Sequence, residues 1–375
     1  MMIERIVYDK IEKSFKKYNA VIILGPRQVG KTTLVKEYIK NSKLKAKYVT
    51  GDDIRTEEIF SSKNLDVIKD FVSGYELLAI DEAQKIKNIG ENIKLAVDNI
   101  DGIKFILTGS SSFELLGEIG EPLVGRKKTI YLFPFSTKEL NQKMNNFEIK
   151  EKLSDFLIFG FYPRVFLSEK KEDKIETINE ITNSYLLKDI LKFEGIKKSS
   201  FMVKILRLLA FQVGSEVSFN EIANNCDLDV KTVQRYLDLL EKNFIIYELK
   251  SFSKNPRKEI SKKKKYYFYD NGVLNSLISN FNSLDLRDDA GRLWENFIFM
   301  ERIKRNSYNE EYLNCYFWKS INGKEIDLIE EKDAKLSAYE FKYSAEKIKR
   351  IKDWEDNYKS DVRIINKYNF LDFIL

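Results

Sequence analysis

The chain has 375 residues, of which 43% are hydrophobic and 33% charged, and it contains no histidine. This length allows roughly two to four domains with ample cores. Without histidine, Ser-His-Asp and Cys-His catalysis, HExxH metalloproteases and His-ligated zinc are excluded. Any general base must be a carboxylate or a lysine, and any metal site must be rich in oxygen, which favours Mg²⁺ or Mn²⁺.

Targeting and membrane signals are missing from the sequence. No apolar run approaches the ~20 residues that span a bilayer, and the first residues lack the apolar core of a signal peptide. Cys226 and Cys315 lie far apart and match neither a metal-ligand spacing nor a disulfide framework. We therefore expect a cytoplasmic protein that does not associate with a membrane.

A short amphipathic helix, predicted over residues 6–17, leads into the most informative stretch of the chain. The apolar run Val21–Leu24 ends in Gly-x-x-x-x-Gly-Lys-Thr, and a helical pattern begins at once. This is the P-loop in its required context of strand, loop and helix. Gly25 and Gly30 allow the backbone N–H groups to approach and wrap the phosphates of a nucleotide.

The residues that follow the second glycine complete this predicted site. Lys31 is placed to bring its ammonium to the β- and γ-phosphates, and the Thr32 hydroxyl to ligate Mg²⁺. The alternative is a glycine-rich turn without a ligand, which the flanking strand and helix disfavour. The sequence therefore predicts binding of ATP with Mg²⁺. The predicted nucleotide-binding residues are Gly25, Pro26, Arg27, Gln28, Val29, Gly30, Lys31, Thr32 and Thr33.

A second acidic signal follows the predicted strand at residues 77–80. Asp81 and Glu82 stand at its carboxyl end, where ligands bind in doubly wound sheets. Asp81 is a candidate ligand of Mg²⁺, and Glu82 a candidate to orient or deprotonate the attacking water. An acidic strand end by itself is usually a solvated turn, so this interpretation depends on the P-loop upstream.

Further polar residues follow the next predicted strand. Thr108 or Ser110 could sense the γ-phosphate, although ordinary turn chemistry explains them equally well. Arg126 is a candidate to contact the γ-phosphate in its own subunit or a neighbour's, and the alternative is a solvated basic turn. From residue 139 to residue 193 the pattern becomes helical and predicts a small lid, whose aromatic side chains we expect in the core.

The next segment predicts a helix-turn-helix followed by a basic hairpin. Residues 221–225 and 230–241 form the two predicted helices, and residues 253–265 a wing that carries most of the excess charge. Between Lys250 and Asp270 there are eight basic and two acidic residues, equal to the net charge of +6 of the whole chain. Such units place a helix in a DNA groove, but they also serve as protein-contact modules. The candidate nucleic-acid contacts are Lys231, Thr232, Gln234, Arg235, Lys262, Lys263, Lys264 and Lys265.

The C-terminal region contains a weaker acidic pattern. Glu295 belongs to a predicted helix, Asp327 to a strand, and Glu340 and Lys342 share one face of a further strand. Two carboxylates with a neighbouring lysine are what a metal-dependent phosphodiesterase requires. Ion pairs on a strand surface are the alternative.

These blocks together resemble one prokaryotic AAA-type ATPase family. The resemblance rests on the P-loop Gly25–Thr33, the stretches 80–84, 108–111 and 125–126, and the later series around residues 267–272 and 295–342. Members of that family join a P-loop ATPase to a winged helix and a C-terminal domain of unknown function with a restriction-endonuclease-like PD-(D/E)xK core. The resemblance implies that Glu295, Asp327 and Glu340, with Lys342, form a second metal site. Gly160-Phe161 departs from the usual Gly-Gly of the family at one turn.

The sequence therefore predicts an α/β protein with a parallel P-loop sheet. The predicted domains are the ATPase at residues 1–138, a helical lid at 139–195, a winged helix-turn-helix at 196–272 and a nuclease-like domain at 273–375. We expect an ATPase that couples its nucleotide state to DNA binding. The alternatives are a regulatory ATPase whose later domains bind a protein partner, and an ATP-gated nuclease. A homo-oligomer is also compatible with the sequence.

Overall fold

In a computed structural model, the structure describes residues 3–110, 122–186, 199–253, 264–320, 322–344 and 351–375. The described residues form two compact units. The first contains the described residues as far as Phe133 together with Lys242–Phe244, and the second contains the described residues of Pro134–Glu241 and of Ile245–Leu375.

A parallel sheet forms the centre of the first unit. Among the described residues its strands are β1 (Ala20–Leu24), β2 (Ala46–Thr50), β3 (Leu77–Asp81), β4 (Lys104–Gly109) and β5 (Lys127–Tyr131). They lie in the order β2-β3-β4-β1-β5, and every pair is parallel. The helices are α1 (Tyr8–Phe15), α2 (Lys31–Asn41), α3 (Ile54–Ser61), α4 (Leu65–Val72) and α5 (Ile89–Asn99). The predicted parallel P-loop sheet is confirmed.

The apolar composition of the central strands explains their position. β1 and β3 are buried at every residue, as expected for strands covered on both faces by helices. Because all strands run in the same direction, the carboxyl ends of β1, β3 and β4 meet at one edge of the sheet. The P-loop and the acidic residues that the sequence analysis selected therefore lie at the same edge.

Helices begin the second unit, which contains a larger sheet. The first helices are α6 (Thr137–Leu140), α7 (Asn146–Glu151), α8 (Leu153–Phe159), α9 (Pro163–Leu167) and α10 (Lys171–Glu180), followed by a π-helical segment, Ile181–Leu186. Their aromatic side chains lie in the core, as expected: Phe156, Phe159, Phe161 and Tyr162 are at most 6% exposed. Residues 187–195 of the predicted lid lie outside the described residues.

The segment for which a helix-turn-helix is predicted contains three helices and three strands among its described residues. After α11 (Ser199–Phe211) come the short strand β6 (Glu216–Val217), α12 (Phe219–Cys226), α13 (Val230–Lys242), and the strands β7 (Ile246–Ser251) and β8 (Lys264–Phe268). Ser218 caps α12 by accepting a hydrogen bond from the Glu221 backbone N–H. Asp229 caps α13 by accepting hydrogen bonds from the backbone N–H and the hydroxyl of Thr232. The tip of the predicted wing, residues 254–263, lies outside the described residues.

The remaining elements extend the same sheet. They are α14 (Asn271–Leu277), α15 (Ala290–Tyr308), β9 (Asn314–Lys319), β10 (Glu325–Lys332), β11 (Lys335–Phe341), α16 (Lys352–Tyr358), β12 (Val362–Ile365) and α17 (Phe370–Ile374). Within the described residues the strand order is β12-β11-β10-β9-β7-β8-β6. β7 pairs in parallel with β9, so one sheet runs through the segments that the sequence analysis assigned to separate domains.

No helix of the described residues is both long and apolar enough to cross a membrane.

Candidate functional site

The loop after β1 has two positions that only glycine can occupy. A Cβ atom on Gly25 would lie 1.9 Å from the carbonyl oxygen of Leu132. Gly30 caps α2 in the left-handed region with φ of 95°, which side chains disfavour. Both glycines of the motif are therefore required by the local backbone.

The loop and the acidic end of β3 are joined through side chains. Lys31 is 5% exposed, and its Nζ donates hydrogen bonds to the carbonyl oxygens of Gly25 (2.8 Å) and Pro26 (2.7 Å). The Thr32 hydroxyl donates to Oδ2 of Asp81 at 2.6 Å. Of the other predicted loop residues, Val29 is buried, Arg27 and Gln28 are half-buried, and Thr33 is exposed.

Asp81 is held in its ionised form. Burial alone would raise its pKa, but hydrogen bonds from the hydroxyls of Thr108, Thr32 and Tyr48, together with the charge of Lys31, hold the pKa below its usual value. The Tyr48 hydroxyl donates to Oδ2 at 2.7 Å. An ionised carboxylate beside a threonine hydroxyl is a donor set that suits Mg²⁺.

The comparison with protein families covers this same region. The AAA domain family matches residues 17–141, which contain the P-loop, Asp81 and the parallel sheet. Residues 17–141 form an AAA-type P-loop ATPase domain. The chain therefore contains a P-loop ATPase domain, which binds ATP and hydrolyses it to ADP and phosphate. Two further families match the ATPase, each described as a domain of unknown function: DUF8612 at residues 150–284 and DUF4143 at residues 290–369.

The ATPase is similar to proteins of other organisms over most of its length. An uncharacterized protein of Haemophilus influenzae is 26% identical over 402 residues, covering 98% of this chain and 94% of that protein. An uncharacterized protein of Methanocaldococcus jannaschii is 27% identical over 386 residues, covering 96% and 83%. Among solved structures, the Walker-type ATPase of Pyrococcus abyssi has 16% identity and a TM-score of 0.50, covering 74% of this chain and 96% of that one. This last similarity shows a shared fold.

Glu82 and Ser110 meet through a residue that the sequence analysis did not select. Nε2 of Gln84 donates to Oε2 of Glu82 at 2.6 Å and to Oγ of Ser110 at 3.2 Å. Oε1 of Gln84 is buried, with no partner among the described residues. Glu82 itself has φ of 52° in the left-handed region, a strained conformation that is typical of functional sites. Gln84 therefore fixes the direction of the Glu82 carboxylate.

Arg126 lies at the opposite edge of the sheet from the P-loop. β1 and β5 are parallel with Ala20 opposite Lys127, so Arg126 precedes the amino end of β5, whereas the P-loop follows the carboxyl end of β1. Five strand residues correspond to about 16 Å, and Arg126 pairs with Asp98 at 2.5 Å. The expectation that Arg126 contacts the γ-phosphate of its own subunit is therefore wrong. Contact with a neighbour's nucleotide stays a prediction.

Arg5 connects the P-loop to the segment that follows β5. Its guanidinium donates to the carbonyl oxygen of Val29 at 2.6 Å and to that of Phe133 at 2.5 Å. Neither Arg5 nor Tyr48 belongs to a recognisable sequence motif, so the sequence gave no indication that either residue supports the site. Gln84 could have been selected, because it lies only two residues after the Asp-Glu pair.

The predicted nucleic-acid residues separate into two groups. On α13, Lys231, Gln234 and Arg235 are exposed, and Thr232 is half-buried and bonded to Asp229. Lys262 and Lys263 lie outside the described residues.

The two remaining wing lysines are paired within the protein. Lys264 pairs with Glu248 at 2.7 Å, and the side chain of Lys265 is 0% exposed. The prediction that Lys265 contacts nucleic acid is therefore wrong, because its ammonium is buried and a phosphate group cannot reach it.

In the C-terminal segment, the predicted acidic residues lie close together. Leu328 pairs with Tyr339 in antiparallel register. Asp327 and Glu340 are the residues adjacent to this pair, and they lie close enough for the charge of Asp327 to raise the pKa of Glu340. Lys342 pairs with Oε1 of Glu340 at 2.7 Å. Glu295 reaches in from α15, where its Oε1 accepts a hydrogen bond from the Tyr267 hydroxyl at 2.8 Å. We call Glu295, Glu325, Asp327 and Glu340 the carboxylate cluster.

The second metal site that the family resemblance implies does not fit this arrangement. Lysine, tyrosine and backbone donors already engage the carboxylates, and among these groups only Oε2 of Glu340 is a buried oxygen without a partner in the described residues. No set of three or more acidic or cysteine side chains within the described ranges could hold a metal ion. One unpaired oxygen is not a coordination shell for Mg²⁺, which requires six ligands.

Glu295 gives the cluster a pH dependence. Burial, and then the charge of Asp327, raises the pKa of Glu295 to about 8 from an ordinary value of 4.5. Between these values the folded chain retains a proton that the unfolded chain has released, so stability should fall as the pH rises through this window. Thermal unfolding of wild type and Glu295→Gln across the window checks this. The melting temperature of Glu295→Gln, in which residue 295 cannot ionise, should fall less steeply with pH than that of wild type. Parallel falls would contradict the raised pKa of Glu295.

Proposed function

We propose that the ATPase couples its nucleotide state to contact with DNA. The observation that carries this proposal is the exposed polar face at the start of α13, formed by Lys231, Gln234 and Arg235. Asp229 caps this helix, so the face lies in its first turns. Basic and amide side chains near the start of such a helix can contact phosphates and base edges.

We propose the following roles at the ATP site. Lys31 moves from its loop carbonyls to the β- and γ-phosphates, because its ammonium already lies over the loop that wraps them. Thr32 and Asp81 hold Mg²⁺, which supplies positive charge to the phosphates when bound. Glu82, directed by Gln84, orients or deprotonates the attacking water. Ser110 senses the γ-phosphate and is linked to Glu82 through the amide of Gln84.

We infer that residues 196–272 form a winged helix-turn-helix. The capped helices α12 and α13, the left-handed turn residue Asp227 between them, and the antiparallel strands β6, β8 and β7 support this inference. With Lys264 paired and Lys265 buried, α13 is the better supported contact, and the described part of the hairpin is secondary.

We propose also that the C-terminal segment has a restriction-endonuclease-like core. The order α15, β9, β10, β11 and the position of Asp327 near Glu340 support it. DNA cleavage is not part of the proposal, because a shared fold does not establish an activity and the carboxylates are engaged by protein groups.

Removing two charges from α13 tests the DNA proposal. Lys231→Ala/Arg235→Ala should weaken binding of a fluorescent duplex, because binding releases fewer counterions from the DNA for each phosphate contact that is lost. Anisotropy titrations at several salt concentrations should show a plot of log affinity against log salt that is flatter by roughly 0.9 for each contact. ATP hydrolysis without DNA should be unchanged.

The matched control is Lys332→Ala/Lys335→Ala. These two lysines are exposed and face each other at the β10–β11 hairpin, so the control removes the same charge elsewhere. If both double variants keep the wild-type salt slope, or lower it equally, α13 is not a DNA contact. That result would favour the alternative of a protein partner bound by the later segments.

A further inference from the structure

Lys265 lies inside the carboxylate cluster, although it belongs to the basic stretch of the chain. Its Nζ is 3.4 Å from Oε1 of Glu295 and 3.8 Å from Oδ1 of Asp327, and it also contacts Oε1 of Glu325. The ammonium lies 5.3 Å from the ring centroid of Phe317 on β9. Its side chain is fully buried, so these groups, and not water, surround its charge.

Hydrogen bonds from neighbouring groups orient the carboxylates of the cluster toward this ammonium. The Tyr267 hydroxyl, two residues further along β8, holds Glu295. The backbone N–H of Phe341 donates to Oδ2 of Asp327 at 2.7 Å, which leaves Oδ1 as the oxygen nearer to Lys265. Glu325 also pairs with Lys319, at 3.5 Å through its other oxygen, Oε2. Carboxylates from α15 and β10 therefore converge on one lysine of β8.

Lysine and carboxylates require each other here. A buried ammonium is stable only when it is paired, and carboxylates gathered without a cation repel one another. A divalent ion bound to the same oxygens, at about 2.1 Å for Mg²⁺, would meet the ammonium and be repelled by it. A metal ion and Lys265 are thus alternative occupants of the cluster.

We propose that Lys265 is the resident cation of the carboxylate cluster and supplies from the chain itself the charge that the family resemblance assigns to a divalent metal. The cluster then joins β8 to α15 and β10 without a metal ion. This inference depends neither on ATP hydrolysis nor on DNA binding.

Metal binding and thermal unfolding of the full chain, measured without nucleotide, test it. Wild type should show no Mn²⁺ site that depends on Asp327 in spin-resonance titrations, and the melting temperature of Asp81→Asn, which lacks the carboxylate of the ATP site, should be the same with Mn²⁺ and with chelator. Lys265→Ala should melt lower, by roughly 10 °C, because Glu295, Glu325 and Asp327 lose the buried ammonium that lies among them. Millimolar Mn²⁺ should restore part of that loss, and the added change Asp327→Asn should abolish the restoration.

Lys264→Ala is the matched control. It removes a lysine from the adjacent position of the same strand, where the partner is Glu248 outside the cluster, and it should create no response to Mn²⁺. Should Lys265→Ala fail to fold, Lys265→Arg keeps the charge and is expected to fold without responding to metal.

Several results would overturn the proposal. One is a wild-type Mn²⁺ site that is lost in Asp327→Asn and kept in Asp81→Asn, which would place a metal in the cluster. Another is a Lys265→Ala protein as stable as wild type. A destabilised Lys265→Ala protein that ignores Mn²⁺ would equally refute the idea that lysine and metal occupy one position.

Discussion

Replacing Lys31 with alanine is expected to weaken ATP binding roughly ten- to a hundredfold. A hydrogen bond to a charged group contributes about 1.5–3 kcal/mol, and Lys31 is the buried cation beside the loop that wraps the phosphates. Equilibrium titration with a fluorescent ATP analogue measures the loss. Hydrolysis at saturating ATP should fall as well, because the same charge stabilises the transferred phosphoryl group.

Lys40→Ala provides the control for this experiment. Lys40 is an exposed lysine in the last turn of the same helix, so the control removes an equal charge without touching the loop. It should bind ATP as wild type does. An affinity that is the same in Lys31→Ala and wild type would refute the assignment of the nucleotide site.

Changing Glu82 to glutamine is expected to leave ATP binding intact and to slow hydrolysis by a factor of roughly 10²–10⁴, the usual contribution of a general base. The amide has nearly the shape of the carboxylate but cannot accept a proton from water. The side-chain amide of Gln84 donates a hydrogen bond to the Glu82 carboxylate at 2.6 Å and another to the Ser110 hydroxyl. The substitution should therefore change the chemistry of residue 82 more than the position of its side chain. Single-turnover hydrolysis, measured beside the ATP titration, separates the two steps.

Glu91→Gln is the matched substitution. Glu91 lies near the start of α5, exposed and paired with Lys63, and its replacement should leave both binding and hydrolysis unchanged. If Glu82→Gln hydrolyses ATP at the wild-type rate, Glu82 is not the base, and another carboxylate of the site must be tested.

The sequence alone was enough to predict an ATP site because the chemistry of such a site is local. Gly25, Gly30, Lys31 and Thr32 are fixed in relation to one another by a few covalent bonds and by the helix that begins at Lys31. Asp81 could be assigned because an apolar strand buried on both faces must end at the edge where the P-loop lies. Hydrophobic pattern was also sufficient for the parallel sheet.

Long-range register decided the rest. Arg126 follows a glycine in a basic segment of unremarkable sequence, and only the pairing of β1 with β5 shows that it precedes its strand and so lies at the wrong edge of the sheet for its own nucleotide. Tyr48 approaches Asp81 because β2 lies beside β3. Neither neighbour can be deduced from local spacing.

Charge patterns were the least reliable guide, and Lys265 shows why. The sequence predicted a P-loop ATPase domain and an excess of basic residues at 250–270, where the run Lys262–Lys265 is uniform in sequence. Tertiary structure distinguishes members of that run: Lys264 is partly exposed beside Glu248, and Lys265 is enclosed by carboxylates from α15 and β10. Whether a lysine faces solvent or a buried partner depends on residues far away in the chain, since the cost of burying its charge is offset only by acidic groups that folding brings to it.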